Sequence, residues 1–297
     1  MNFAQAIASY EAVRERLPAV RAEGACVERP NLDALADEFD VFLLDAFGVL
    51  NIGETHIDGV PERVKRLQAA GKRVMIVSNA AGVPHAGLMQ KYQRLGYDFA
   101  SQDLITSRKA TLHALHNAPP LKWGLMASLS AGQGDLEPFD MTYLAEDATI
   151  YDQAEAFVML GSAEWTETRQ SLLEASLRAH PRPVYVGNPD IVAPRETGFS
   201  VEPGHYAHRL ANETGVEVQF FGKPFGNIYD LAFAQLGSLD RNRIVMVGDS
   251  LHTDILGGQN AGVKTALISG FGLFAGHNVD GPISASGIRP DYILNRP

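Results

Sequence analysis

The stretch Val41–Leu50, VFLLDAFGVL, decides the reading of the fold. Four consecutive apolar residues suit a strand covered on both faces of a sheet. The run nevertheless ends in a carboxylate, Asp45, and passes straight into Ala46, Phe47 and Gly48. A carboxylate at the end of a buried strand is costly unless it is paired, hydrogen-bonded or bound to a metal. Working outward, the same pattern recurs: a short apolar run, a polar or glycine-rich turn, then a segment of helical period. RVMIV (Arg73 to Val77) precedes PHAGLMQKYQRLG, VQFF precedes GNIYDLAFAQLG, and IVMV (Ile244 to Val247) precedes TDILGGQNAG. VFLL itself leads to PERVKRLQAAG, where Val64 and Leu67 share a face and Gly71 stops the helix. KTALIS and DYIL read as further strands. This is the signature of β-α units in a parallel sheet.

The expected fold class is therefore α/β, a doubly wound, Rossmann-like parallel-sheet core with a smaller inserted α/β cap domain. The expected boundaries are an N-terminal helical extension over 1–40, a core formed by 41–111 and 199–297, and a cap over 112–198. In the extension, Phe3, Ile7, Tyr10, Val13 and Leu17 offer an apolar helical face and no evident chemistry. In the cap, GLMAS, AFVML and PVYVGNPD supply strands, and WTETRQSLLEASLRAH reads as a long helix whose Trp165, Leu172, Leu173, Ser176 and Leu177 serve packing.

Composition narrows the function. The 297 residues carry 25 Lys plus Arg against 35 Asp plus Glu, a formal net charge of -10, with no basic cluster. That argues against a nucleic-acid partner. Cys26 is the only cysteine, which excludes an intrachain disulfide and a thiolate metal site. No apolar run approaches the roughly 20 residues needed to span a bilayer, and the N-terminus lacks a signal pattern. A cytoplasmic protein without membrane partners is expected, and a homodimer is left open.

Four polar residues fall just beyond apolar runs: Asp45, Ser78, Lys223 and Asp249. In an open parallel sheet, ligands bind at the carboxyl ends of the strands, so the four should converge. Two carboxylates are too few for a calcium cage but suit Mg²⁺, which keeps waters and completes its shell with phosphate oxygens. Lys223 adds a charge for a phosphate oxygen, while Ser78 and the following backbone N–H groups can donate to another. Asp254, at a helix start five residues past Asp249, can tether the lysine or a metal-bound water. Singly, each has a bland explanation as a cap, a turn or a solvated loop. Their coincidence describes a phosphoryl-transfer site.

These motifs resemble those of the haloacid dehalogenase superfamily, in its NagD-like branch with an inserted α/β cap (class IIA). DAFGVL matches motif one, IVSNAAG motif two, GKP motif three and VGDSLHTDILGGQNAG motif four. GNPD, Gly187 to Asp190, resembles the cap's substrate-specificity loop. The resemblance spans Val41 to Ser269. It implies a Mg²⁺-dependent phosphatase acting on a small phosphorylated metabolite, such as a sugar phosphate or a nucleotide monophosphate. Asp45 would be the nucleophile, forming an aspartyl-phosphate. Asp45, Asp249 and the Phe47 carbonyl would hold the metal. Lys223 would be catalytic and would bind substrate together with Ser78, Asn79, Ala80, Asn188 and Asp190. Asp254 and Ser250 would support the site from behind.

Phe47 departs from the family pattern, which implies a second Asp two residues after the nucleophile to protonate the leaving alcohol. A phenylalanine can still offer its carbonyl to a metal but carries no proton. General acid–base catalysis is worth roughly 10²–10⁴-fold, or about 3–5 kcal/mol of barrier. The alternatives are a phosphatase restricted to leaving groups that need no proton, an acid supplied by His56, His85, His205 or His252, or a catalytically weak protein that binds a phosphorylated ligand. Cleavage of C–P bonds through Lys109 or Lys122 ranks last.

Overall fold

The computed structural model describes residues 1–21, 24–131, 134–195 and 198–297. Seven parallel strands form the larger sheet, in the spatial order Val27–Arg29, Tyr292–Leu294, Lys264–Ile268, Ile244–Gly248, Val41–Leu44, Arg73–Ser78 and Leu104–Thr106. Alternation along the strands sends residues to both faces, as a period of two requires. Phe42, Leu44, Val74, Ile76, Val245 and Val247 pack with Val60, Val64 and Leu67 of helix Val60–Ala69 and with Leu88 and Tyr92 of helix His85–Arg94. Val41, Leu43, Met75, Val77, Ile244 and Met246 pack on the opposite face with Ile228, Tyr229 and Ala232 of helix Gly226–Ala234. A strand with helices on both sides has no polar face, which is why VFLL and IVMV are unbroken apolar runs.

From Val41–Leu44 the chain steps outward in one direction to Arg73–Ser78 and Leu104–Thr106. After the inserted domain it returns on the other side at Ile244–Gly248. Strands Val41–Leu44 and Ile244–Gly248 are neighbours, Leu44 opposite Val247, so the topological switch point lies between them.

The second domain is built on five parallel strands in the order Val218–Phe220, Val184–Val186, Ala156–Met159, Trp123–Met126 and Met141–Tyr143. Helices Ala148–Gln153, Glu167–Ala179 and Pro203–Thr214 complete it, with Leu173, Leu177, Ala207 and Leu210 buried against the strands. The α/β cap is thus present, but three expected boundaries change. VQFF is not a core strand: Val218–Phe220 pairs with Val184–Val186 in the smaller sheet, so this domain extends past 198 to about residue 221. It also begins later than 112, because helix Ser107–Asn117 continues the strand Leu104–Thr106 and packs on the core helix Gly226–Ala234. A three-residue strand such as VQF carries no sign of which sheet it joins.

Nor is 1–40 wholly a helical extension. Helix Phe3–Ala12 is present, with an Asn2–Gln5 capping box at its start. Val27–Arg29, however, is an edge strand pairing with Tyr292–Leu294, and Leu32, Leu35 and Phe39 are buried in the main core. No helix among the described residues is long and apolar enough to cross a membrane.

Candidate active site

Asp45 is the first residue beyond its strand. Its N–H still donates to the Val247 carbonyl at 2.8 Å, so the ladder fixes its position. Asp249 stands one residue beyond the neighbouring strand, after Gly248. Its Oδ2 accepts from the Leu273 N–H at 2.7 Å. Gly48 and Gly272 crowd this carboxylate: a Cβ on either would lie 2.5 Å or 1.8 Å from Oδ2. Both glycines also have positive φ, +74° and +66°, so the position excludes side chains on steric and conformational grounds alike.

Lys223 arrives by another route. It lies on the link that returns from the smaller sheet to helix Gly226–Ala234, and the Asn79 side chain clamps its backbone. The Lys223 N–H donates to Asn79 Oδ1 at 2.7 Å, and Asn79 Nδ2 donates to the Lys223 carbonyl at 2.9 Å. Thus anchored, and 2% exposed, Lys223 Nζ donates to Asp45 Oδ1 and Asp254 Oδ1, each at 2.6 Å. Asp254 lies in a π-helical turn, Leu251–Ile255, and its Oδ2 accepts the Ser250 N–H at 3.0 Å.

The charges do not balance. Burial opposes the Lys223 charge, but Asp254 and then Asp45 more than offset it, so its pKa is raised. Burial raises the Asp254 carboxyl to about 6 even with the ammonium beside it. Asp249 is raised well above the ordinary range by burial, then by Asp254 and Asp45. Oxygens of Asp45, Asp249 and Asp254 lie within 4.8 Å of one another. Burial thus opposes ionisation of Asp249 and Asp254, and a divalent cation bound among the three carboxyl groups would favour their charged forms. The donor set is all oxygen, as a hard cation such as Mg²⁺ prefers.

Asp45, Phe47, Asp190, Lys223, Asp249 and Ser250 line one cavity of about 40 Å³, room for roughly three water molecules. Asp190 reaches it from the loop after Val184–Val186. Its Oδ1 accepts from Asn79 Nδ2 at 2.8 Å, and its N–H donates to Asn188 Oδ1 at 3.0 Å. Asn188 spends its amide on Glu202 at 3.2 Å and does not line the cavity, so its position is that of a loop anchor. Ser78, Asn79 and Ala80 also lie behind the lining. Ser78 Oγ accepts the Ala80 N–H at 3.3 Å, and both donors and acceptor of Asn79 named above go to protein groups.

The candidate proton carriers are elsewhere. His56 is exposed on a hairpin. His85 bonds Ser101 Oγ at 2.8 Å in a separate cavity of about 470 Å³ that also holds Lys109. His205 packs edge-on to Tyr206. His252 is buried, stacked on Tyr10 at 5.0 Å and bonded to Glu11 at 2.5 Å. Lys122 lines another surface hollow. None of these lines the Asp45 cavity.

Tyr10, Thr253, Leu273 and Val192–Pro194 do line it, and the sequence reading missed them. Tyr10 comes from the N-terminal helix. Its hydroxyl accepts the Ile191 N–H at 3.2 Å, joining that helix to the loop bearing Asp190. Its place in an ordinary apolar helical stripe gave no signal. Thr253 could have been found, because it sits beside Asp254 in the motif-four string.

A family profile described as haloacid dehalogenase-like hydrolase matches residues 42–133, and one described as HAD-hydrolase-like matches 220–296. An acid sugar phosphatase of Staphylococcus aureus is 28% identical over 231 residues, 77% of this chain and 85% of the relative. Among solved structures, the p-nitrophenyl phosphatase of Archaeoglobus fulgidus is 25% identical with a TM-score of 0.72, over 87% of this chain and 97% of that one. A superfamily protein from Cytophaga hutchinsonii shares the fold at 24% identity and a TM-score of 0.79, covering 91% and 98%. Sequence motifs, switch-point geometry and these likenesses agree: the chain is an enzyme that belongs to the haloacid dehalogenase-like hydrolases.

Proposed function

We propose that this protein is a Mg²⁺-dependent phosphatase that hydrolyses a small phosphorylated metabolite, such as a sugar phosphate or a nucleotide monophosphate, through an aspartyl-phosphate on Asp45. The observation that carries the reading is the buried group of Asp45, Asp249 and Asp254 around Lys223, three carboxyl groups gathered within reach of one cation. The 28% identical acid sugar phosphatase and the 25% identical p-nitrophenyl phosphatase support the reaction class.

Asp45, Asp249 and the Phe47 carbonyl would hold the metal, which when bound supplies charge neutralisation and a template for phosphoryl oxygens. Asp45 attacks phosphorus in line. Lys223 orients the attacking carboxylate and offsets charge on the phosphoryl oxygens. Asp254 and the Ser250 backbone hold the ammonium in place. Asn79, behind the lining, supports the site by fixing the Lys223 backbone and the Asp190 carboxyl. The cavity is small, with Val192–Pro194 and Tyr10 in its lining, and matches the size of a phosphoryl group better than that of a whole substrate. Cytoplasmic localisation and homodimerisation remain part of the proposal and bear on neither step.

The test is turnover of p-nitrophenyl phosphate and of sugar phosphates with Mg²⁺, comparing wild type and Asp45→Asn. Asp45→Asn is expected to lose on the order of 10⁴-fold or more, as removal of a nucleophile does. Binding of phosphate without turnover by wild type would replace this reading with that of a phospho-ligand-binding protein, the alternative that Phe47 favours.

A further inference from the structure

The phosphatase reading leaves one proton unassigned. As Asp45 attacks, an alkyl ester expels an alkoxide that must be protonated, and Phe47 has no proton to give. Its ring lies beneath the Arg195 guanidinium, 5.6 Å from the ring centroid, and Arg195 is itself held by Glu202 at 2.9 Å. Of the groups lining the cavity, Asp45 is the nucleophile of the phosphatase reading, Asp249 would hold the metal, and Lys223 is spent on Asp45 and Asp254. Burial pushes the Tyr10 phenol well above its ordinary pKa. Asp190 remains.

We infer that Asp190, brought to the cavity by the inserted domain, is the general acid and base of this reaction, in place of the carboxyl that Phe47 lacks; the inference rests on the phosphatase reading. Asp45 enters the cavity from the core sheet and Asp190 from the cap loop. In-line displacement sends the leaving oxygen away from the nucleophile, towards the domain that supplies Asp190. The carboxyl is held on one side only: Oδ1 accepts from Asn79, and Oδ2 has no hydrogen-bond partner among the described residues. Asn79 in turn fixes the Lys223 backbone, so one side chain positions acid and lysine together. Arg195 and Asp190 flank the short strand Val192–Pro194, so one segment of the chain both covers Phe47 and carries the acid. Burial raises the Asp190 carboxyl to about 8, against the lowering effects of Asn79 and Lys223 and with help from Asp45 and Glu202. Tyr10 is the remaining titratable neighbour. The acid is protonated at neutral pH.

In the first step an Asp45 oxygen bonds to phosphorus as the ester P–O bond breaks. Its electron pair stays on the leaving oxygen, which takes the Asp190 proton and departs as alcohol. In the second, water bonds to phosphorus while Asp190 carboxylate takes a proton from it. The bond to Asp45 breaks, releasing phosphate and restoring both carboxyl groups.

The experiment compares glycerol phosphate and p-nitrophenyl phosphate with Mg²⁺ for wild type, Asp190→Asn and the double variant Asp190→Asn/Phe47→Asp. Asp190→Asn should lower kcat/KM on glycerol phosphate, which reports the leaving-group step, by on the order of 10²–10⁴-fold. On p-nitrophenyl phosphate, whose phenolate leaves without a proton, the loss in kcat/KM should be under about tenfold, which also shows that the variant is folded, while kcat falls because the aspartyl-phosphate has lost its base. A fall in wild-type kcat/KM above about pH 8 should be absent in Asp190→Asn, and Phe47→Asp should restore alkyl turnover. Equal losses of kcat/KM on both substrates, no loss, or an unchanged basic limb would overturn the assignment. Should the variant not fold, wild type decides: weak dependence of rate on leaving-group pKa supports an acid, and steep dependence removes it. Wild type inert toward every ester sinks the phosphatase reading itself, whereas any negative result with an active wild type removes Asp190 alone.

Discussion

The rim of the core sheet and the loop after Val184–Val186 both bring carboxylates to one cavity, but they hold them differently. Asp45, Asp249 and Asp254 sit at strand and helix ends, tied to backbone N–H groups or to the Lys223 ammonium. Asp190 has one neutral amide, Asn79, and no cation in contact. The core arrangement gathers oxygens that a cation and a phosphoryl group can use. The cap arrangement keeps a proton. The same side chain thus has two chemistries, set by what surrounds it.

The largest expected effect comes from removing the cation of the core group. Lys223→Met keeps length and loses charge, leaving Asp45 and Asp254 buried without their partner. Turnover should fall on the order of 10²–10³-fold, and stability of the metal-free protein by about 3–5 kcal/mol, read by denaturant unfolding. Retained stability would mean that the pair is not the anchor described here. Next, Gly272→Ala drives a Cβ onto Asp249 Oδ2 at a positive φ. Titrating activity with Mg²⁺ should show metal affinity or turnover weakened by about 10–100-fold, the usual scale for disturbing the support of a ligand. An unchanged titration would detach Asp249 from the metal.

On the cap side, Tyr10→Phe leaves the Ile191 N–H without its acceptor, a loss of about 1–3 kcal/mol. Hydrogen exchange at Ile191 should quicken by roughly 10–100-fold, while amides of the core strands stay protected. A uniform change would deny the N-terminal helix a local role. The last effect is a pH slope. The Asp190 carboxyl is raised from 3.8 to about 8 by folding, so the folded state binds more protons over that window. Its contribution to stability therefore falls as pH rises through the window and is level above it. Asp190→Asn should flatten this slope; a parallel curve would place Asp190 in water.

Much of this was legible in the residues. VFLL, RVMIV and IVMV could only be strands buried on both faces, and Asp45, Asp249 and Lys223 do meet, because strand ends of a parallel sheet face one crevice. The expected core boundary at 199 failed at VQFF, since three residues of strand pair by tertiary proximity and carry no label for their sheet. The histidine candidates failed for a related reason: closeness along the chain to a motif says nothing of where a side chain lies after folding.

The sequence by itself determined the fold class, the order of the motifs and the absence of an acid at Phe47, because these depend on local hydrophobic period and residue type. Only the tertiary structure decided that Tyr10 lines the cavity, that Asn79 serves Lys223 and Asp190 together, and that Asp190 rather than a histidine shares that cavity with Asp45. Those contacts join residues more than a hundred positions apart. Their energetics depend on burial and on neighbours that exist only once two domains and an N-terminal helix have packed around one small cavity.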